Sequence, residues 1–208
     1  HTLRLSQEAK KAGADGLLLV TPYYNKCSAT GLIRHYLSVA DSVELPIIVY
    51  NVPSRTGVSM NAEIYRQLSR HPLINGVKEA SGSTDLVLRT LDACGDELNI
   101  WSGNDSQIVP IMALGGKGVI SVLANLCPEV TADLTAACLR GDYETAASMQ
   151  KRYMALIDAL FCEVNPIPVK TAMNLMGLGV GPLRMPLCQL DDGKKEQLMS
   201  ALHQKNLI

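Results

Sequence analysis

The chain has 208 residues, 47% of them apolar and 19% charged, and its 19 basic and 20 acidic side chains give a formal charge of −1. That balance describes a globular protein with a substantial core and excludes a disordered chain. It recommends neither nucleic acid nor an anionic membrane as a partner, and a single tryptophan and a single phenylalanine leave little to stack on bases.

Periodicity predicts a helix over 2–12 stopped by Gly13, then a short strand over 16–20 closed by Thr21-Pro22. Leu32, Ile33, Tyr36, Leu37 and Ala40 form one apolar stripe on a helix over 28–41. A strand over 47–51 follows, then a loop punctuated by Pro53, Ser54 and Gly57, then a helix over 61–70. Next come a strand over 74–78, a helix over 84–94 closed by Gly95, a strand over 98–102, a helix over 105–114 and a strand over 118–122. These strands are continuous apolar runs, as expected when both faces of a sheet are covered. Strand and helix alternating at this rhythm predict a parallel α/β architecture.

After Pro128 the strand signal ends, and 129–139, 143–160, 168–176 and 193–205 read as helices. Gly177, Gly179 and Gly181, before Pro182, have no strand ahead of them, so they read as a connection rather than a phosphate cradle. The expected division is therefore 1–127 as α/β and 128–208 as helical.

Six cysteines (Cys27, Cys94, Cys127, Cys138, Cys162, Cys188) are scattered without a C-x-x-C pair, in a chain too large to need staples. Reduced thiols in a cytoplasmic protein fit better than disulfides. His1, His35, His71 and His203 share no metal-ligand spacing, so neither a metal nor another cofactor is expected. No secretory signal is evident, and no apolar stretch is long enough to cross a bilayer. The chain lacks an initiator methionine and opens inside a helical pattern, as expected of the later part of a longer protein.

The chemistry-bearing residues cluster at predicted strand ends. Lys78 closes the run Ile74-Asn75-Gly76-Val77-Lys78. A lysine there often snorkels to water. Held among apolar neighbours it instead loses hydration in its charged form, and its neutral amine becomes a nucleophile toward carbonyl carbons. The strand before it delivers Tyr50-Asn51-Val52-Pro53-Ser54-Arg55-Thr56-Gly57, with a proton-exchanging phenol and a guanidinium fork suited to a carboxylate. The remaining strand ends carry Thr21-Pro22-Tyr23-Tyr24-Asn25, Trp101-Ser102-Gly103-Asn104-Asp105 and Gly118-Val119-Ile120-Ser121. No G-x-G-x-x-G follows a strand, and chemistry beyond many successive strands favours a barrel with its site at one rim over an open doubly wound sheet.

In this order, the motifs closely resemble the dihydrodipicolinate synthase family (4-hydroxy-tetrahydrodipicolinate synthases), among the pyruvate-dependent class I aldolases related to N-acetylneuraminate lyase. The resemblance runs from the first helix through Asn165-Pro166-Ile167-Pro168-Val169-Lys170 to the end. It implies a (β/α)8 TIM barrel, of which this chain holds the last five strands, followed by the last barrel helix and a C-terminal helical region. It implies a homotetramer, a dimer of tight dimers, that condenses pyruvate with L-aspartate-4-semialdehyde in the diaminopimelate route to lysine. Carried over, Lys78 forms the pyruvate imine, Tyr50 shuttles protons, and Tyr24 reaches across the tight dimer as a relay. Arg55 receives the aldehyde's carboxylate, and Gly103 and Ile120 approach pyruvate. Pro-Ser-Arg before Thr-Gly favours the semialdehyde over the polyhydroxylated substrates of the sugar-acid lyases. Some members are inhibited by L-lysine; Tyr23 and His1 fall at positions of that effector site, though His1 reads equally well as an ordinary surface histidine.

Two departures accompany the resemblance. The family's adjacent threonines, one in the proton relay and one binding pyruvate, lie upstream of His1, as do the first three barrel strands. Five strands cannot close an eight-stranded barrel, so this segment alone is expected to be inactive and prone to aggregate. An N-acetylneuraminate or 2-keto-3-deoxy sugar-acid lyase using the same Lys78 is the nearest alternative. A non-catalytic keto-acid-binding homologue is the alternative of another class.

Overall fold

Five apolar runs and the helices between them form the first of two units into which the computed structural model of residues 1–208 divides, His1–Ile120 and Ser121–Ile208. The chain opens with α1 (Thr2–Lys11), β1 (Leu17–Val20) and α2 (Ala29–Val43). Next come β2 (Ile47–Asn51), α3 (Pro53–Thr56), α4 (Ala62–Leu68) and β3 (Ile74–Glu79). The unit finishes with α5 (Thr84–Cys94), β4 (Asn99–Ser102), α6 (Ile108–Ala113) and β5 (Gly118–Val119).

The sheet order is β1-β2-β3-β4-β5, and every pair is parallel. Right-handed crossovers between strands in sequential order put all the connecting helices on one face. That face is closed: Ile47, Val49, Val77 and Ile100 are buried against Leu32, Tyr36 and Tyr65 of the helices. The opposite face is open, with Leu18 at 46% and Val20 at 37% exposure. The expectation that both faces are covered therefore holds on one side only, because a five-stranded sheet does not close on itself to fill its own interior.

Local signals fix the helix ends. Ser28, Asn61 and Ser83 cap α2, α4 and α5, their side-chain oxygens accepting from the amides of Gly31, Ile64 and Leu86. Three elements differ from expectation. The loop after β2 contains a helical turn, α3, with Pro53 at its start and Gly57 in the left-handed region (φ 68°) at its end. The helix expected over 105–114 begins as a 3-10 turn, Asp105–Gln107, before α6. The strand expected over 118–122 is regular only at Gly118–Val119, with one further bond to β4 from the Ile120 amide, after which the Ser121 hydroxyl accepts from the Ala124 amide and turns the chain.

The second unit is helical: α7 (Pro128–Leu139), α8 (Tyr143–Leu160), α9 (Ile167–Leu175) and α10 (Asp192–His203). Leu156, Leu160, Ala172, Leu198 and Leu202 form its apolar core. The packing changes at Ile120 rather than at the expected 127, because Leu123, Leu126 and Cys127 are buried in this core. No helix is long and apolar enough to cross a membrane.

Candidate active site

Alternation along a strand sends neighbouring side chains to opposite faces, so the open face of the sheet carries every second residue. Register places Val20, Tyr50, Lys78, Trp101 and Gly118 in one row across it. Within that row the Lys78 Nζ stands 4.2 Å from the centre of the Tyr50 ring. Both residues are half-buried. Burial lowers the pKa of Lys78; the Asp105 carboxylate opposes this and the Arg55 guanidinium reinforces it. Burial also pushes the Tyr50 phenol up, with Arg55 pulling it down. One cation thus biases both groups toward losing a proton.

Arg55 owes its position to the short α3, which turns the chain back immediately after β2. Its side chain is exposed. Gly103, directly after β4, donates its amide to the Glu79 carbonyl at 2.7 Å. A Cβ at Gly103 would sit 2.7 Å from the Ala80 Cβ and 3.3 Å from the Lys78 Cε, so the bare backbone leaves room for the lysine stem. Ile120 extends β5 by donating its amide to the Ser102 carbonyl at 2.8 Å. Tyr50, Lys78, Gly103 and Ile120 are therefore gathered at the C-terminal ends of adjacent strands.

The other residues singled out from sequence are Tyr23 and Tyr24, which follow the C-terminal end of β1, and His1. Tyr23 is 67% and Tyr24 91% exposed, Tyr24 with a left-handed backbone (φ 67°). His1 is exposed at the start of α1.

Sequence reasoning passed over the groups behind the row. Glu79, one residue beyond Lys78, faces the helices and is 3% exposed. Its carboxylate accepts from Asn51 Nδ2 at 3.2 and 3.1 Å, from the Tyr65 hydroxyl at 2.7 Å and from the Ser81 amide at 2.7 Å. Asn51 Oδ1 in turn accepts from the Met60 amide at 3.1 Å. Burial, and then the charge of Glu79, raise the pKa of the Tyr65 phenol. Asp105, 1% exposed, supplies the negative charge felt by Lys78. For Asn51 and Glu79 the available signal was a polar side chain closing an apolar strand, at a position whose alternation points it into the core.

The family model for the dihydrodipicolinate synthetase family matches residues 1–205. The chain belongs to the dihydrodipicolinate synthetase family. A relative from Thermoanaerobacter sp. (strain X514), named 4-hydroxy-tetrahydrodipicolinate synthase, is 50% identical over 209 residues, covering 100% of this chain and 70% of the relative. A chloride-inhibited dihydrodipicolinate synthase from Acinetobacter baumannii, solved with pyruvate, is 40% identical with a TM-score of 0.96, over 99% of this chain and 71% of that one. The dihydrodipicolinate synthase of Cyanidioschyzon merolae with lysine bound is 35% identical with a TM-score of 0.96, over 99% and 70%. The five parallel strands are thus part of the synthetase family's (β/α)8 barrel, and the helices after them its C-terminal region. Membership in the dihydrodipicolinate synthetase family makes the chain an aldolase-type lyase.

Proposed function

We propose that the chain carries the imine-forming half of a 4-hydroxy-tetrahydrodipicolinate synthase site, joining pyruvate to L-aspartate-4-semialdehyde in lysine biosynthesis. The observation that carries this reading is the Lys78 amine, its pKa lowered by burial, 4.2 Å from the ring of its register partner Tyr50. The neutral amine attacks the ketone carbon of pyruvate, and loss of water leaves an iminium. That cation is an electron sink, so the neighbouring methyl gives up a proton and becomes a nucleophilic enamine. The enamine carbon bonds to the aldehyde carbon, and the aldehyde oxygen takes up a proton. The register pairing of Tyr50 with Lys78 supports its hydroxyl as the group that exchanges these protons. Arg55 receives the acceptor's carboxylate through its planar fork. Gly103 and the Ile120 backbone border pyruvate.

The exposure of Tyr24 supports a role outside its own subunit, completing the site of a second copy within a homotetramer. The lysine bound to the Cyanidioschyzon merolae relative supports L-lysine as an effector at the surface that carries Tyr23 and His1. A biosynthetic role and six free thiols support a cytoplasmic location.

Borohydride reduction in the presence of pyruvate, followed by peptide mass mapping, tests the mechanism. The adduct is expected on the peptide containing Lys78; an adduct elsewhere overturns it. A coupled assay tests the acceptor: turnover with a sugar aldehyde but none with aspartate semialdehyde sinks the synthase reading.

A further inference from the structure

We infer that Glu79 is a positioning residue for Lys78: its buried carboxylate, gripped by Asn51, Tyr65 and the Ser81 amide, locks the end of β3 and so aims the amine one residue back. The inference rests on the reading of Lys78 as the nucleophile.

The geometry is specific. Asn51 and Glu79 are register partners, one step beyond the partners Tyr50 and Lys78. The first pair faces the helices and the second the open face, so each residue of the buried pair shares a peptide bond with one of the reacting pair. Side chain and main chain close the same link: Asn51 Nδ2 donates to both Glu79 oxygens, and the Ala80 amide donates to the Asn51 carbonyl at 2.9 Å. Tyr65 ties the carboxylate to α4, and Asn51 Oδ1 ties the pair to the Met60 amide. On the other side, the Glu79 carbonyl takes the Gly103 amide, setting the backbone that borders the Lys78 stem.

A buried carboxylate satisfied by four hydrogen bonds from neutral donors is a costly way to fill space, since an apolar side chain there would need no partners. What it supplies is direction. Donors from β2, α4 and the turn after β3 converge on one group, and rotating or sliding the strand end breaks several bonds together. A flexible lysine stem has its root fixed, so only its outer torsions remain to be set by Tyr50 and the substrate.

The test is the rate of pyruvate imine formation at saturating pyruvate, by rapid borohydride quench, in the protein with its complete barrel. Melting temperature is recorded alongside. In Glu79→Gln the amide turns a donor toward the Asn51 donor, and the imine rate is expected to fall about ten- to a hundredfold with little change in the KM for pyruvate. The paired variant Asn51→Asp/Glu79→Gln restores donor to acceptor, with the new carboxylate on β2 still accepting from the Met60 amide, and is expected to return to within about threefold of wild type. A folded Glu79→Gln protein with the wild-type imine rate overturns the inference, as does a slowed one that the paired variant fails to rescue. If Glu79→Gln does not fold, Tyr65→Phe decides: it removes one bond, a several-fold slowing supports the inference, and an unchanged rate overturns it. A wild-type protein that forms no adduct at Lys78 brings down the proposed function itself; normal wild-type labelling with unaffected variants brings down only the role of Glu79.

Discussion

Tyr50 and Lys78 face each other in register across β2 and β3, with the amine 4.2 Å from the ring centre. Two effects compete in that pairing. The ring's negative face attracts an ammonium, by roughly 0.5–2 kcal/mol depending on desolvation, and would hold Lys78 charged. Burial, reinforced by Arg55, disfavours the charge, and the net direction is a lowered pKa. The lysine is kept near the tyrosine yet more readily neutral than an ordinary one.

That compromise should show in stability. A lysine whose folded pKa lies below its unfolded value of 10.5 binds fewer protons folded than unfolded between the two values. Its cost to the fold is therefore fully present below the folded pKa and disappears as pH rises toward the unfolded one. Lys78→Met should melt above wild type at neutral pH, with the gap closing as pH approaches 10.5, and should form no adduct. Melting curves of both proteins across this range check it; a gap of opposite sign, or one independent of pH, counts against the burial argument.

Tyr50→Phe keeps the ring against the amine and removes only the hydroxyl. A proton shuttle of this kind contributes about 10²–10⁴-fold, so kcat should fall by that much with the KM for pyruvate little changed. Borohydride should still label Lys78, more slowly. Steady-state kinetics within a few fold of wild type would remove Tyr50 from the proton path.

Arg55 has two separable effects, one through its fork and one through its charge. Loss of hydrogen bonds to a charged partner, about 1.5–3 kcal/mol, should raise the KM for aspartate semialdehyde some ten- to a hundredfold in Arg55→Ala. Because the guanidinium lowers the pKa of Lys78 and of Tyr50, the same variant should shift the rising limb of the imine pH–rate profile to higher pH. Arg55→Lys keeps the charge without the fork, so it should raise KM while leaving the limb in place. A limb that moves equally in both variants would contradict this division.

Gly103→Ala places a methyl 2.7 Å from the Ala80 Cβ and 3.3 Å from the Lys78 Cε. Overpacking of this kind costs about 1–3 kcal/mol, and the displaced lysine stem should slow imine formation. Ala80→Gly in the same chain removes the nearest obstacle and should recover stability. Melting temperatures of the single and double variants decide whether Ala80 is the obstacle.

Lys78 and Tyr50 were legible because each ends an apolar run, and strand ends in parallel α/β folds are where side chains leave the core. Arg55 was legible as chemistry, but its platform was not. Pro53 and Gly57 read as loop punctuation, although the same two residues start and stop a helical turn. That five strands leave core exposed was legible from the strand count, but not which residues line the open face: Leu18 and Val20 are as apolar as their buried neighbours. The Glu79 network was least legible. It joins residues from β2, α4 and β3: strand alternation points the carboxylate inward, but nothing local names partners that arrive from 14 and 28 residues away.

The alternation that separates Lys78 from Glu79 has a genetic consequence. Deleting one residue of β3 ahead of Lys78 would present an acid to the ketone, and inserting one there would drive an ammonium toward Tyr65 and Asn51. Such a molecule could not be a slower enzyme or one with altered taste; it would lose nucleophile and anchor in a single event. Length changes should therefore be absent from this strand among working copies of the gene, while the loops on either side remain free to vary.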